Sequence, residues 1–146
     1  MGKKLVILSE WKDKTAFQQL KNDVENQISG VDTFFYLFTV ENPKIIEELP
    51  QIPSVYYLSK KDFTLFGLIK TPSLRGLLIN EKSGVLIVTM VNTSVLLKRV
   101  MKTSKLMSIG MMSESLPKFD ISFKDTELKN GKFFKQINNY LTKIQL

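Results

Sequence analysis

Four small polar residues sit where this sequence could bind an anion. Ser9 closes the apolar run LVILS, and Asn92, Thr93 and Ser94 follow the apolar run GVLIVTMV. Where a buried strand gives way to a helix, hydroxyls and free backbone N–H groups gather, and such a place suits phosphate or carboxylate. The same residue types also cap helices by accepting a hydrogen bond from the first turn. A second group is cationic: Lys60, Lys61, Lys98, Arg99, Lys102 and Lys105 form one basic surface if the helix after Asn92 lies near the third strand. Such a surface would hold a phosphate-rich partner without reading its sequence, and the affinity would fall steeply with salt. The acids Glu10, Asp13, Asp62, Glu114 and Asp120 fall near expected loops, but no spacing pairs them for general acid and base work. Trp11, between Glu10 and Lys12, is placed either to stack on a ligand or to pack over the first helix.

The composition removes whole classes of chemistry. The chain has no cysteine and no histidine, so zinc sites, thiol catalysis and Ser-His or Cys-His pairs are excluded within it. A general base would have to be a carboxylate, Lys or Tyr, and a hard cation would need Asp or Glu oxygens. Neither a Gly-x-Gly-x-x-Gly fingerprint nor a Gly-x-x-x-x-Gly-Lys-Ser/Thr loop occurs. No cofactor and no metal site is therefore expected. The net charge of +7 is uneven: residues 60–105 hold nine Lys or Arg against two acids, whereas residues 1–59 hold six against eight. The middle third thus offers itself to a phosphate-containing or acidic partner.

Positioning these residues needs a scaffold, and 146 residues make one domain spanning 1–146. Continuous apolar runs at 5–9 and 84–91 read as strands buried on both faces. Aromatic and β-branched stretches at 32–40 and 55–58 read as further strands. Phe17, Leu20, Val24 and Ile28 recur at helical spacing over 13–28, which Ser29 and Gly30 terminate. Asn42 with Pro43 starts a short helix over 43–49. Thr71 with Pro72 starts another, weakened by Gly76. Leu96, Leu97, Val100 and Met101 give the inner face of a helix over 95–104. Residues 106–111 and 120–123 read as the last strands, joined by a Gly110–Ser115 loop and a Pro117 turn. The chain closes in an amphipathic helix over 133–144. This alternation predicts a single-domain α/β three-layer sandwich, a Rossmann-like, mostly parallel sheet with helices on both faces. Residues 60–80 are the least determined part. Glu10, Lys12 and Asp13 interrupt the first apolar run, so neither a signal peptide nor a membrane span is expected, and the reading is cytoplasmic.

The ordered motifs DFTLFG (62–67), GLLIN (76–80), SKLMSIGMM (104–112), FDISF (119–123) and FFKQINNYLTKI (133–144) resemble a domain-of-unknown-function family of small Bacteroidetes proteins. The resemblance runs over residues 55–146. It implies a Rossmann-like fold, a Leu77-Leu78-Ile79 strand and no assigned activity. Arg75-Gly76 stands before that stretch where many family members carry Phe-Asp, and Asn80-Glu81 stands after it where they carry Asp or another polar residue. The pattern is also distantly similar to the N-terminal half of heptosyltransferase-like glycosyltransferases. The expected role is a non-catalytic binding or interaction module, with itself as a homodimer or with another protein. The alternatives are a minimal glycosyltransferase-like or nucleotide-sugar-binding domain, and a basic nucleic-acid or ribosome-associated protein.

Overall fold

A computed structural model describes residues 3–80, 84–124 and 132–144; the expectation attached to Glu81 lies outside them. Six parallel strands form one sheet: β1 (Lys4–Glu10), β2 (Thr33–Thr39), β3 (Val55–Leu58), β4 (Gly84–Val88), β5 (Met107–Met111) and β6 (Ile121–Phe123). Their spatial order is β3-β2-β1-β4-β5-β6, the order of doubly wound dinucleotide-binding sheets. The two continuous apolar runs are the central pair, β1 and β4, in register from Lys4 with Gly84 to Leu8 with Val88. Leu5–Leu8 and Val85–Val88 are fully buried, because a central parallel strand is covered on both faces.

The pleat sorts the flanking elements. Helix α1 (Lys14–Gln27) places Phe17 edge-on against Tyr36 and Phe38 of β2. Phe35, which points to the opposite face, meets the Lys4 ammonium, and Lys4 Nζ donates to the Leu77 carbonyl at 2.9 Å. One face therefore carries α1, and the C-terminal helix α4 (Lys132–Ile144) packs beside it. The other carries the short helix α2 (Pro72–Arg75) with its continuation. Helix α3 (Val95–Thr103) joins that layer, since the Lys105 N–H just beyond it donates to the Leu78 carbonyl.

Gly76–Asn80 is a π-helical turn extending α2, not the strand that the resemblance implies. Three consecutive apolar residues suit a buried strand and a buried helical turn equally. Here Pro72 at the first helical position sets a helical course that Gly76 bends without ending. The short helix expected over 43–49 is a 3₁₀ helix, Pro43–Glu48, capped by Asn42.

The β5–β6 connection, residues 112–120, returns without a helix. Parallel neighbours usually need a dozen or more residues between them. Here the shorter path is held by Asp120, whose Oδ2 accepts the Ser108 N–H at 2.8 Å while Ser108 Oγ accepts the Asp120 N–H at 2.9 Å. Gly110 gives the path room: the Phe119 ring lies where a Cβ at 110 would stand.

Candidate functional site

In an open parallel sheet of this order, ligands settle beyond the carboxyl ends of the strands where the winding reverses, between β1 and β4. A cleft of about 320 Å³ lies there. Ser9, one residue before the end of β1, and Thr89, just past β4, form its floor, Ala16, Phe17 and Leu20 of α1 wall it, and Phe134 of α4 closes one side. Of the four residues expected to hold an anion, Ser9 and Asn92 line this cleft, whereas Thr93 and Ser94 do not. Ser94 caps α3, its Oγ accepting the Leu97 N–H at 3.0 Å, and Thr93 is exposed beside it.

The electrostatics of the cleft run against phosphate. Glu10, Asp13 and Asp23 line it with Lys12 as the one cation. The amino terminus of α1, the position where dinucleotide-binding sheets of this strand order hold a pyrophosphate, is occupied by the protein's own carboxylate. Asp13 Oδ1 accepts the Ala16 N–H at 2.7 Å. Asp23 accepts from Gln19 Nε2 at 3.0 Å, and the Thr89 hydroxyl donates to the Leu8 carbonyl at 3.2 Å. Asp13, Gln19, Asp23 and Thr89 are thus engaged in holding the scaffold. Among the described residues, no group of three or more acids is placed to hold a metal ion.

The other expected acids are also structural or scattered. Asp62 closes a capping box with Ser59 and accepts the Thr71 hydroxyl, Asp120 ties β6 to β5, and Glu114 is exposed on the 112–120 connection. Trp11 packs edge-on against Phe38 and Tyr57, with ring centroids 5.1 and 5.3 Å away. Groups with displaced pKa values lie in the scaffold. Burial, then a 2.6 Å hydrogen bond to Glu25, pushes the Tyr36 hydroxyl far up. Partial desolvation of Glu25 opposes its ionisation, but hydrogen bonds from Lys21 and Tyr36 and the Lys21 charge outweigh it and hold the carboxyl low. Burial raises Tyr57, whose hydroxyl donates to the Pro50 carbonyl at 2.7 Å.

The basic residues fare differently. The Arg99 guanidinium lies 5.5 Å from the centroid of the Phe63 ring, so α3 does sit against the segment that follows β3. Lys60, Lys61, Lys98, Lys102 and Lys105 are exposed.

Sequence reasoning missed what stands beside them. Phe63 pairs with Ile69 in an antiparallel bridge, making a tight hairpin over residues 63–69. Thr64 organises it: its N–H donates to the Leu68 carbonyl at 2.7 Å, its carbonyl accepts the Gly67 N–H, and its Oγ1 accepts the N–H groups of Phe66 and Leu68. Gly67 adopts φ 79°, a conformation that glycine takes without penalty. The tip side chains stand in solvent, Leu65 at 101%, Phe66 at 83% and Leu68 at 51% exposure. The available signal was Thr-Leu-Phe-Gly-Leu, a turn glycine among apolar residues.

Comparison with protein-family models, curated proteins and solved structures finds no match to this chain.

Proposed function

We propose that this protein is a non-catalytic binding or interaction module that meets its partner through the carboxyl edge of its sheet. One observation carries the reading. The large apolar side chains that are exposed among the described residues are Ile45, Leu65, Phe66, Leu68, Val91, Val95 and Met112. Each follows the carboxyl end of β2, β3, β4 or β5 by ten residues or fewer. Scattered exposed apolar residues are ordinary, but a grouping on one edge marks a contact surface. The cleft adds little to a catalytic reading, since two of its three acids, Asp13 and Asp23, already accept hydrogen bonds from α1. A nucleotide-sugar reading would need an anion at the amino terminus of α1, against the Asp13 carboxylate. The basic surface beside the hairpin supports a phosphate-containing or acidic partner, and self-association is the other form of the same reading. The Bacteroidetes lineage and a cytoplasmic location belong to this proposal.

The test compares wild type with Leu65→Ser/Phe66→Ser for self-association by sedimentation velocity and for retention on immobilised RNA, heparin, acidic protein and anionic vesicles. Nucleotides and nucleotide sugars are titrated in parallel by thermal shift. Association or retention weakened by the double substitution supports the proposal. A saturable nucleotide-sugar shift, or retention that ignores the substitution, overturns it.

A further inference from the structure

The hairpin combines three properties that point to one kind of partner. Its tip is apolar and convex: Leu65 and Phe66 project from a tight turn with nothing against them. Its base is cationic. Lys60 and Lys61 lie in the 3₁₀ turn that leads into it and Lys70 directly follows it, Arg75 Nη1 donates to the Ile69 carbonyl at 3.1 Å, and Arg99 lies over the Phe63 ring. The only acid between Lys60 and Arg75 is Asp62, already engaged by the Ser59 N–H and the Thr71 hydroxyl. No ion pair among the described residues involves any of these five cations. Finally, four of the tip's backbone donors are internally satisfied. The N–H groups of Thr64, Phe66, Gly67 and Leu68 find acceptors within the loop, so it can leave water without stranding those donors, a condition that hydrocarbon imposes and water does not.

An apolar tip inside a collar of cations matches an anionic phospholipid bilayer: acyl chains and the headgroup boundary take Leu65 and Phe66, while the collar meets lipid phosphates and carboxylates. A protein groove that took the tip would have to be concave and acidic at its rim, whereas a bilayer supplies both chemistries without a shaped pocket. We infer that this protein docks peripherally on anionic membrane surfaces by inserting the Leu65-Phe66 hairpin tip. The inference rests on the interaction-module reading and names its partner. Such docking needs no spanning helix, and among the described residues no helix is long and apolar enough to cross a membrane. The acids Glu41, Glu47 and Glu48 follow β2, so the membrane is met on the side of the molecule that carries the hairpin and α3.

The full chain is sedimented with vesicles of phosphatidylcholine alone and of phosphatidylcholine and phosphatidylserine in equal parts, at low and high salt. Wild type should partition onto the anionic vesicles at least about tenfold more strongly and lose binding as salt rises. Leu65→Ser/Phe66→Ser should reduce that partition about tenfold or more. Lys60→Gln and Lys61→Gln should each reduce it about fivefold. Circular dichroism checks that each variant keeps the wild-type fold. Binding that the lysine substitutions weaken and the tip substitutions leave unchanged is surface adsorption and overturns the inference. Absence of vesicle binding, while the tip substitutions still abolish self-association or retention on protein or RNA, also overturns it and leaves the interaction-module reading standing.

Discussion

At the scale of single residues, Gly110 shows how one missing methyl group fixes a chain path. A break inside the strand-like run LMSIGMM is visible in the sequence, and so is space for something to approach. What approaches is Phe119, brought back by the short return from β5 to β6; nothing local could have named it. Gly110→Ala should cost about 1–3 kcal/mol in urea denaturation, because a buried ring must move. Shrinking the intruder with Phe119→Leu in the same chain should make the alanine cheaper than it is alone. Tyr36 makes a second residue-scale prediction. Its hydroxyl is held neutral in the fold, with a pKa above the ordinary 10.0. That contribution is complete below pH 10.0 and is lost as pH rises past it, where the unfolded chain gives up its proton first. Wild type should therefore lose stability faster than Tyr36→Phe above pH 10.0, and equal slopes would contradict this account. Glu25 acts at the other end: its depressed pKa stabilises the fold above the ordinary 4.5 and ceases to as pH falls through the lower value.

At the scale of elements, capping chemistry and apolar period explain which segments could be read. The spacing of Phe17, Leu20 and Val24 and the Asn42-Pro43 and Ser94 starts matched α1, the 3₁₀ turn and α3 closely. Residues 60–80 resisted because their organisation is neither periodic nor long. The hairpin depends on the four hydrogen bonds that Thr64 makes within it, and the π turn on where α2 happens to meet Lys4 and α3. Two predictions separate structure from contact in this segment. Asp62→Ala removes the acceptor for the Ser59 N–H and the Thr71 hydroxyl, and should cost about 1–3 kcal/mol in denaturant melts. Leu65→Ser/Phe66→Ser touches only exposed side chains and should stay within about 0.5 kcal/mol of wild type. A large loss of stability there would mean that the tip is packed, not presented.

At the scale of the whole molecule, strand alternation made the α/β class legible, because buried runs and amphipathic helices reflect local burial. Strand order did not follow from the alternation, since pairing β1 with β4 joins segments some eighty positions apart through contacts with no local signature. The cleft between those strands inherits the topology of nucleotide-binding folds but not their electrostatics: Asp13 and its acidic neighbours occupy the anion's place. The molecule instead gathers exposed apolar side chains along the carboxyl edge and cations around one hairpin. In the proposed interaction module, the sheet is the rigid mount and the edge the working surface.

Because the chain has no cysteine, one measurement can address that surface directly. Phe66→Cys and, on the exposed side of α1, Asn26→Cys are each labelled with an environment-sensitive fluorophore and mixed with phosphatidylcholine and phosphatidylserine vesicles. The account predicts a blue shift and loss of aqueous quenching at position 66, with an aqueous spectrum retained at position 26. An unchanged spectrum at position 66, or an equal shift at both positions, would contradict it.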